Sequence, residues 1–164
     1  MKTNTNEAST HPSAPAITSC EANFRVGISA TPDAVYEALT DTKKLAAWWT
    51  SDTRGDGTRV GGRLEFWFGT FCQKFEVKAL DRGKRVVWKA TEEGMEEWVP
   101  TEVSFTLTTK EATTIVNFTH GGWAARSDFF VHCSTKWVTF LLSLKALLET
   151  GEGRPAPHDL KIGD

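Results

Sequence analysis

Three cysteines in 164 residues are too few and too scattered for a disulfide framework. Cys20, Cys72 and Cys133 form no CxxC, and the odd count leaves one over. Free, mostly buried thiols in a reducing cytoplasm are expected. No run of about 18 apolar residues occurs, because Lys136 and Lys145 interrupt the best candidate, so no membrane span is expected. A basic excess is missing too. Nineteen Lys and Arg stand against 21 Asp and Glu, a net charge of −2, which advertises neither nucleic acid nor anionic lipid as a partner. A single Tyr accompanies seven Trp and ten Phe. Rings without hydroxyls suit a wide interior or a greasy pocket better than a hydrogen-bonding surface.

The signatures of common chemistries are absent as well. There is no HExxH, paired-His spacing, Cys/His cluster, GxSxG or GxxxxGK[ST], so neither a metal nor a cofactor is expected. The glycine-rich stretch WWTSDTRGDGTRVGG, from Trp48 to Gly62, does not match GxGxxG and leads into a strand rather than a helix. No helix N-terminus is therefore offered to a phosphate. These glycines read as a loop and a bend, with the freedom to let the loop move as a lid. The Asn117-Phe118-Thr119 sequon falls inside a predicted strand of a chain without an export signal.

What is present organises into one domain. Residues 1–19 are polar, rich in Ser, Thr, Asn and Pro, and read as a disordered leader. Residues 20–151 form the folded domain, and 152–164, with Gly and Pro, a flexible tail. Phe24, Val26 and Ile28 alternate in a first strand. Thr31-Pro32-Asp33 starts a helix, and a second short helix ends at Trp48-Trp49. Period-two segments follow around Leu64–Phe68, Phe75–Ala79, Val86–Ala90, Val103–Leu107 and Val116–His120. From about Ser127 to Glu149 the period becomes helical. Phe130, Trp137, Leu141, Leu144 and Leu148 lie on one side; His132, Lys136, Thr139 and Ser143 lie opposite. Such a helix is roughly 34 Å long, the only element able to cover a twisted antiparallel sheet. The expected fold class is α+β: a curved sheet wrapped around the C-terminal helix, with two short helices after the first strand closing one end.

At this point the chain resembles a known family. FRVGISATPDAVYEALTDTKKLAAWW, VGGRLEFWF, RVVWKA, THGGW and KWVTFLLSLKALLETGEG, spread over roughly Ala22 to Gly153, are similar to the activator of heat-shock-protein-90 ATPase homologue-like family. That family lies in the START-like, polyketide-cyclase-like superfamily. The resemblance implies a helix-grip fold. It does not imply one activity, since the superfamily includes lipid carriers, hormone receptors, cyclases and co-chaperones.

The candidate site rests on the rings. Phe66, Phe68, Phe75, Trp88, Phe105, Phe118 and Trp137 should converge between sheet and helix, beside Leu141 and Leu144. Trp48 and Trp49 close one end, one ring facing the groove and the other the outer surface or a partner. His120 continues the inward face of the last strand. It is either a core histidine bonded to a backbone carbonyl or a pocket acid or base. An empty pocket of about 300 Å³ would cost about 7 kcal/mol, comparable to a domain's whole stability. The bulk of these rings argues for a small pocket. A binding module for a small apolar or aromatic molecule is the leading expectation. A co-chaperone role with a protein partner comes second, because a single domain offers no second arm for a chaperone clamp. A cyclase or hydrolase relying on His120 comes third. The expected state is a monomer or homodimer in the cytoplasm.

Overall fold

The structure, a computed structural model, describes residues 20–163; the expected leader lies outside them. Element order follows the expectation closely. Strand β1 (Cys20–Ile28) is followed by helices α1 (Pro32–Thr40) and α2 (Thr42–Ala46). Strands β2 (Asp52–Gly55), β3 (Arg63–Phe68), β4 (Phe71–Asp81), β5 (Arg85–Ala90), β6 (Glu102–Lys110) and β7 (Thr113–Trp123) come next. Helix α3 (Asp128–Thr150) ends the series. Seven antiparallel strands pair in the order β1-β7-β6-β5-β4-β3-β2. The sheet curves around α3 in a helix-grip arrangement, with register breaks at Cys20/Ala22 and Val77/Ala79.

Helix ends form where the side chains dictate. Thr31 Oγ1 accepts the Ala34 N–H at 3.2 Å, and Pro32 occupies the first helical position. Ser127 Oγ caps α3 by accepting the Phe130 N–H at 3.1 Å. Gly151 closes α3 at φ +84°, its N–H donating to Leu147 O at 2.9 Å. Alternate strand residues face inward: Leu64, Phe66, Phe75, Val77, Val86, Trp88, Val103, Phe105, Val116 and Phe118 are all buried. Phe130, Trp137, Leu141 and Leu144 of α3 meet them.

Three expectations need correction. Strand β2 occupies what the sequence presents as loop; DTRG has no apolar alternation because it is an exposed edge. Ser143, placed on the polar side of α3, is buried: its Oγ–H donates to Trp48 O at 2.8 Å and its oxygen accepts the Arg154 N–H at 2.7 Å. The segment after α3 does not splay away. The Ala156 N–H donates to Trp49 O at 2.8 Å, and the Ser51 N–H donates to Ala156 O at 3.0 Å. Ala156 and Asp159 are buried. Gly and Pro predict freedom for a peptide in isolation, but residues 49–51 offer this segment unpaired backbone groups to bond.

Candidate functional site

The predicted rings do converge. Trp49 lies 4.0 Å from Phe66 and 4.7 Å from Trp137 between ring centroids, and stacks on Trp88 at 5.9 Å. Trp88 meets Phe105 at 5.0 Å, Phe105 meets Phe118 at 5.2 Å, and Phe118 returns to Trp137 at 4.5 Å. This continuous aromatic mass fills the centre. Phe66, Phe75, Trp88, Phe105, Phe118, Leu141 and Leu144 are spent on packing and do not line the cavity described below. The Trp48-Trp49 pair departs from its expectation in one respect. Both rings are buried and stacked 6.0 Å apart, because they sit in the turn after α2, where neighbouring side chains need not diverge by 100°. Trp48 covers no outer surface; its indole N–H donates to Ala38 O at 2.8 Å.

His120 is a core histidine held by side chains rather than by a backbone carbonyl. An indole N–H can only donate, so the Trp137 Nε1–H at 3.0 Å makes His120 Nδ1 an acceptor. The ring proton then sits on Nε2 and donates to Thr101 Oγ1 at 2.9 Å. The Thr101 hydroxyl passes its own proton to Trp98 O at 2.5 Å. Both ring nitrogens of His120 and the Thr101 hydroxyl are thus used. Burial lowers the His120 pKa to about 3, so the ring stays neutral at ordinary pH. Because His120 is fully buried and absent from the cavity wall, the geometry gives it a structural role.

Beside the filled core, where α3 meets the β3–β4 hairpin, lies a cavity of about 590 Å³. Of the residues proposed from sequence, Trp49, Phe68 and Trp137 form part of its wall. The rest of the wall comes from elsewhere. Trp67, Gly69 and Phe71 contribute from the hairpin, and Met95 and Trp98 from the β5–β6 connection. Phe129, His132, Cys133, Lys136 and Phe140 contribute from α3. Thr50, Ser51 and Asp52 face Ala156, Pro157, Asp159 and Lys161 of the C-terminal segment. The cavity exceeds the expected small pocket because it stands at the margin of the aromatic mass, not within it. Sequence reasoning missed the stripe Phe129, Cys133, Lys136 and Phe140, whose spacings of four, three and four mark a second face of α3.

Several polar groups in this wall are specifically held. Gln73 interrupts the apolar face of β4; its Oε1 accepts the Met95 N–H at 3.1 Å, and its amide donates to Lys74 O at 3.1 Å. It thereby fixes the β5–β6 connection as one wall. Burial pushes the Cys133 thiol up to about 12, and Trp98 Nε1–H donates to its sulfur at 3.4 Å, so no thiolate nucleophile is available there. Asp159 binds Lys136 on one oxygen and Lys161, at 2.6 Å, on the other. Burial raises its carboxyl, but hydrogen bonds and charge from the two lysines outweigh this and hold it below the usual carboxylate range. Among the described residues, no three His, Cys, Asp or Glu side chains stand together as a metal site, and no helix is long and apolar enough to cross a membrane.

The glycine loop before β3 is not part of this wall. A Cβ on Gly62 would stand 2.2 Å from Asp56 O, so glycine is needed there for close backbone packing. In place of the expected lid, the loop forms a packed corner whose glycines do not line the cavity.

Comparison with known proteins places this architecture among relatives. The family described as Activator of Hsp90 ATPase homolog 1-like protein matches residues 29–149. No protein of curated function matches the chain. The solution structure of the Aha1 dimer from Colwellia psychrerythraea is 43% identical with a TM-score of 0.76, covering 82% of this chain and 99% of that one. Two more distant structures share the fold alone. DynU16, a putative protein in the dynemicin biosynthetic locus, is 23% identical with a TM-score of 0.65, over 81% of this chain and 48% of its own. CalU16 from Micromonospora echinospora is 19% identical with a TM-score of 0.66, over 85% and 83%.

Proposed function

The chain belongs to the Activator of Hsp90 ATPase homolog 1-like family, and from that premise we propose that it is a binding module for a small hydrophobic or aromatic molecule held between the sheet and α3. One observation carries this reading: a cavity of about 590 Å³ remains open beside a core that is otherwise filled by rings. Eight aromatic side chains wall it, namely Trp49, Trp67, Phe68, Phe71, Trp98, Phe129, Trp137 and Phe140. The volume lies in the range of small-molecule sites, roughly 300–1,000 Å³. A ligand of about 20 heavy atoms gaining about 0.3 kcal/mol per atom would bind with about 6 kcal/mol, a Kd in the tens of micromolar.

The test is a titration with a panel of apolar and aromatic compounds, followed by tryptophan fluorescence from Trp49, Trp98 and Trp137. A saturable change, weakened severalfold in Phe71→Ala and Phe140→Ala, is the expected result. A flat response to the whole panel removes the reading.

A second reading, a protein-interaction role, is favoured by a different feature. Val131, Val138 and Leu142 are 57%, 39% and 50% exposed and lie along one side of α3 at spacings of seven and four. The Colwellia relative is described as a dimer. A second copy docking on this stripe, or a chaperone, would cover it. Light scattering across concentrations, with Val138→Asp as the disrupting variant, separates a homodimer from a monomer. An Hsp90 ATPase assay with and without this protein tests the chaperone arm.

A further inference from the structure

Charged side chains gather at the mouth of the cavity. Among the described residues, two carboxylates and two ammonium groups line it: Asp52, Asp159, Lys136 and Lys161. Asp52 has its own cation: Arg54 reaches it with Nε at 2.7 Å and a second nitrogen at 2.9 Å, while its guanidinium lies 4.9 Å from the centre of the Trp67 ring. Asp159, with 5% of its side chain exposed, is shared by two ammonium groups, Lys136 and Lys161.

Of the two ammonium groups, Lys136 is the more buried one. Its side chain is only 17% exposed and sits among the rings of the wall. An ammonium has three N–H donors. One goes to Asp159 Oδ2 and one to Leu160 O at 2.7 Å. The ammonium nitrogen stands 4.8 Å from the centre of the Phe140 ring, so its remaining donor meets aromatic surface within the cavity. A cation–π contact is a weak substitute for an anion when the group is largely removed from water. Asp159 is already shared, because Lys161 holds its other oxygen.

Resting on the ligand-binding reading, we propose that the occupant is an aromatic acid: a flat ring body packed among Trp49, Phe68, Trp137 and Phe140, with one acidic group accepting the free N–H of Lys136. A neutral aromatic would leave that ammonium facing rings, and a cationic one would meet like charge. Lys136 becomes the specificity-determining residue, and Asp159 the group that positions it.

Two dyes sharing one ring system test this, 1-anilinonaphthalene-8-sulfonate and the uncharged N-phenyl-1-naphthylamine. The sulfonate stands in for the acidic group. In the full chain at low salt the anionic dye should bind about tenfold more tightly than the neutral one, the size of one charge-assisted hydrogen bond. The ratio should shrink as salt rises. It should fall to near one in Lys136→Met. Because that variant leaves the buried Asp159 to Lys161 alone, the paired Lys136→Met/Asp159→Asn variant is measured beside it and should give the same ratio. Equal affinity for both dyes in the wild-type chain, or an unchanged ratio in the folded paired variant, overturns the proposal and leaves the ligand-binding reading standing. No binding of either dye, with no response to the wider panel, overturns both.

Discussion

Trp137 gives its indole N–H to Nδ1 of His120 across 3.0 Å, and this one contact fixes the tautomer of a buried imidazole and ties α3 to β7. A protonated His120 would carry a proton on Nδ1, opposing the Trp137 donor.

Acid should therefore act on this pair. The His120 pKa is about 3 in the folded chain and near 6.5 when unfolded. Between those values the unfolded chain binds the extra proton, so the contribution is whole above about pH 6.5 and is lost as pH falls towards 3. The slope approaches about 1.4 kcal/mol per pH unit inside that window. His120→Phe removes the titration but orphans the Trp137 N–H, costing about 1–3 kcal/mol at pH 7.5. Urea midpoints of the two proteins should differ most at pH 7.5 and converge towards pH 4.5. Parallel profiles would show that His120 does not titrate as described.

The C-terminal segment offers a second measurement. Truncation after Gly153 removes the backbone bonds of Ala156 to Trp49 and Ser51, and takes Asp159 from Lys136. The loss is expected at about 2–4 kcal/mol, which at this chain length lowers Tm by roughly 6–12 °C. Lys136→Met in the truncated chain should recover part of it, because the stranded ammonium is gone. An unchanged melting curve after truncation would restore the flexible tail expected from composition.

The contrast between these two cases shows what the sequence makes legible. Alternating residues such as Val103, Phe105 and Leu107, and the Trp137, Leu141, Leu144 stripe, announce a sheet face and the helix that covers it, because burial imposes their period. The Thr31-Pro32 and Ser127 starts are legible because capping is local. The cavity is not. Trp88 and Phe105 look as eligible for its wall as Trp49, yet only packing decides that the first two fill the centre. Lys136 reads as a solvated helix residue until Asp159, 23 positions onward, folds back upon it. Trp98 lies between two predicted strands, outside either alternation, and becomes wall because Gln73 holds Met95 beside it. Contacts distant in sequence made the site, and no local period records them.

The last prediction separates packing from motion in the glycine-rich corner. Gly62 has no positive φ, yet a Cβ there would lie 2.2 Å from Asp56 O and 2.9 Å from Arg59 O, both backbone atoms. Gly61 is the reverse case: φ is +80°, and nothing stands within 4 Å of its added Cβ. Alanine at Gly61 meets only the left-handed backbone penalty, about 1–2 kcal/mol. Alanine at Gly62 must push apart the turn that carries the Asp56 N–H to Arg63 O bond of 2.9 Å and the Gly62 N–H to Arg59 O bond of 3.0 Å. Its cost should exceed that of Gly61→Ala, at about 3 kcal/mol or more. Thermal melts of both variants give the comparison directly. Ligand on-rates measured by stopped-flow fluorescence should stay within about twofold of wild type for Gly61→Ala, since the corner stands apart from the cavity wall. A Gly61→Ala protein with near-normal Tm but on-rates slowed tenfold would instead establish the corner as a moving lid.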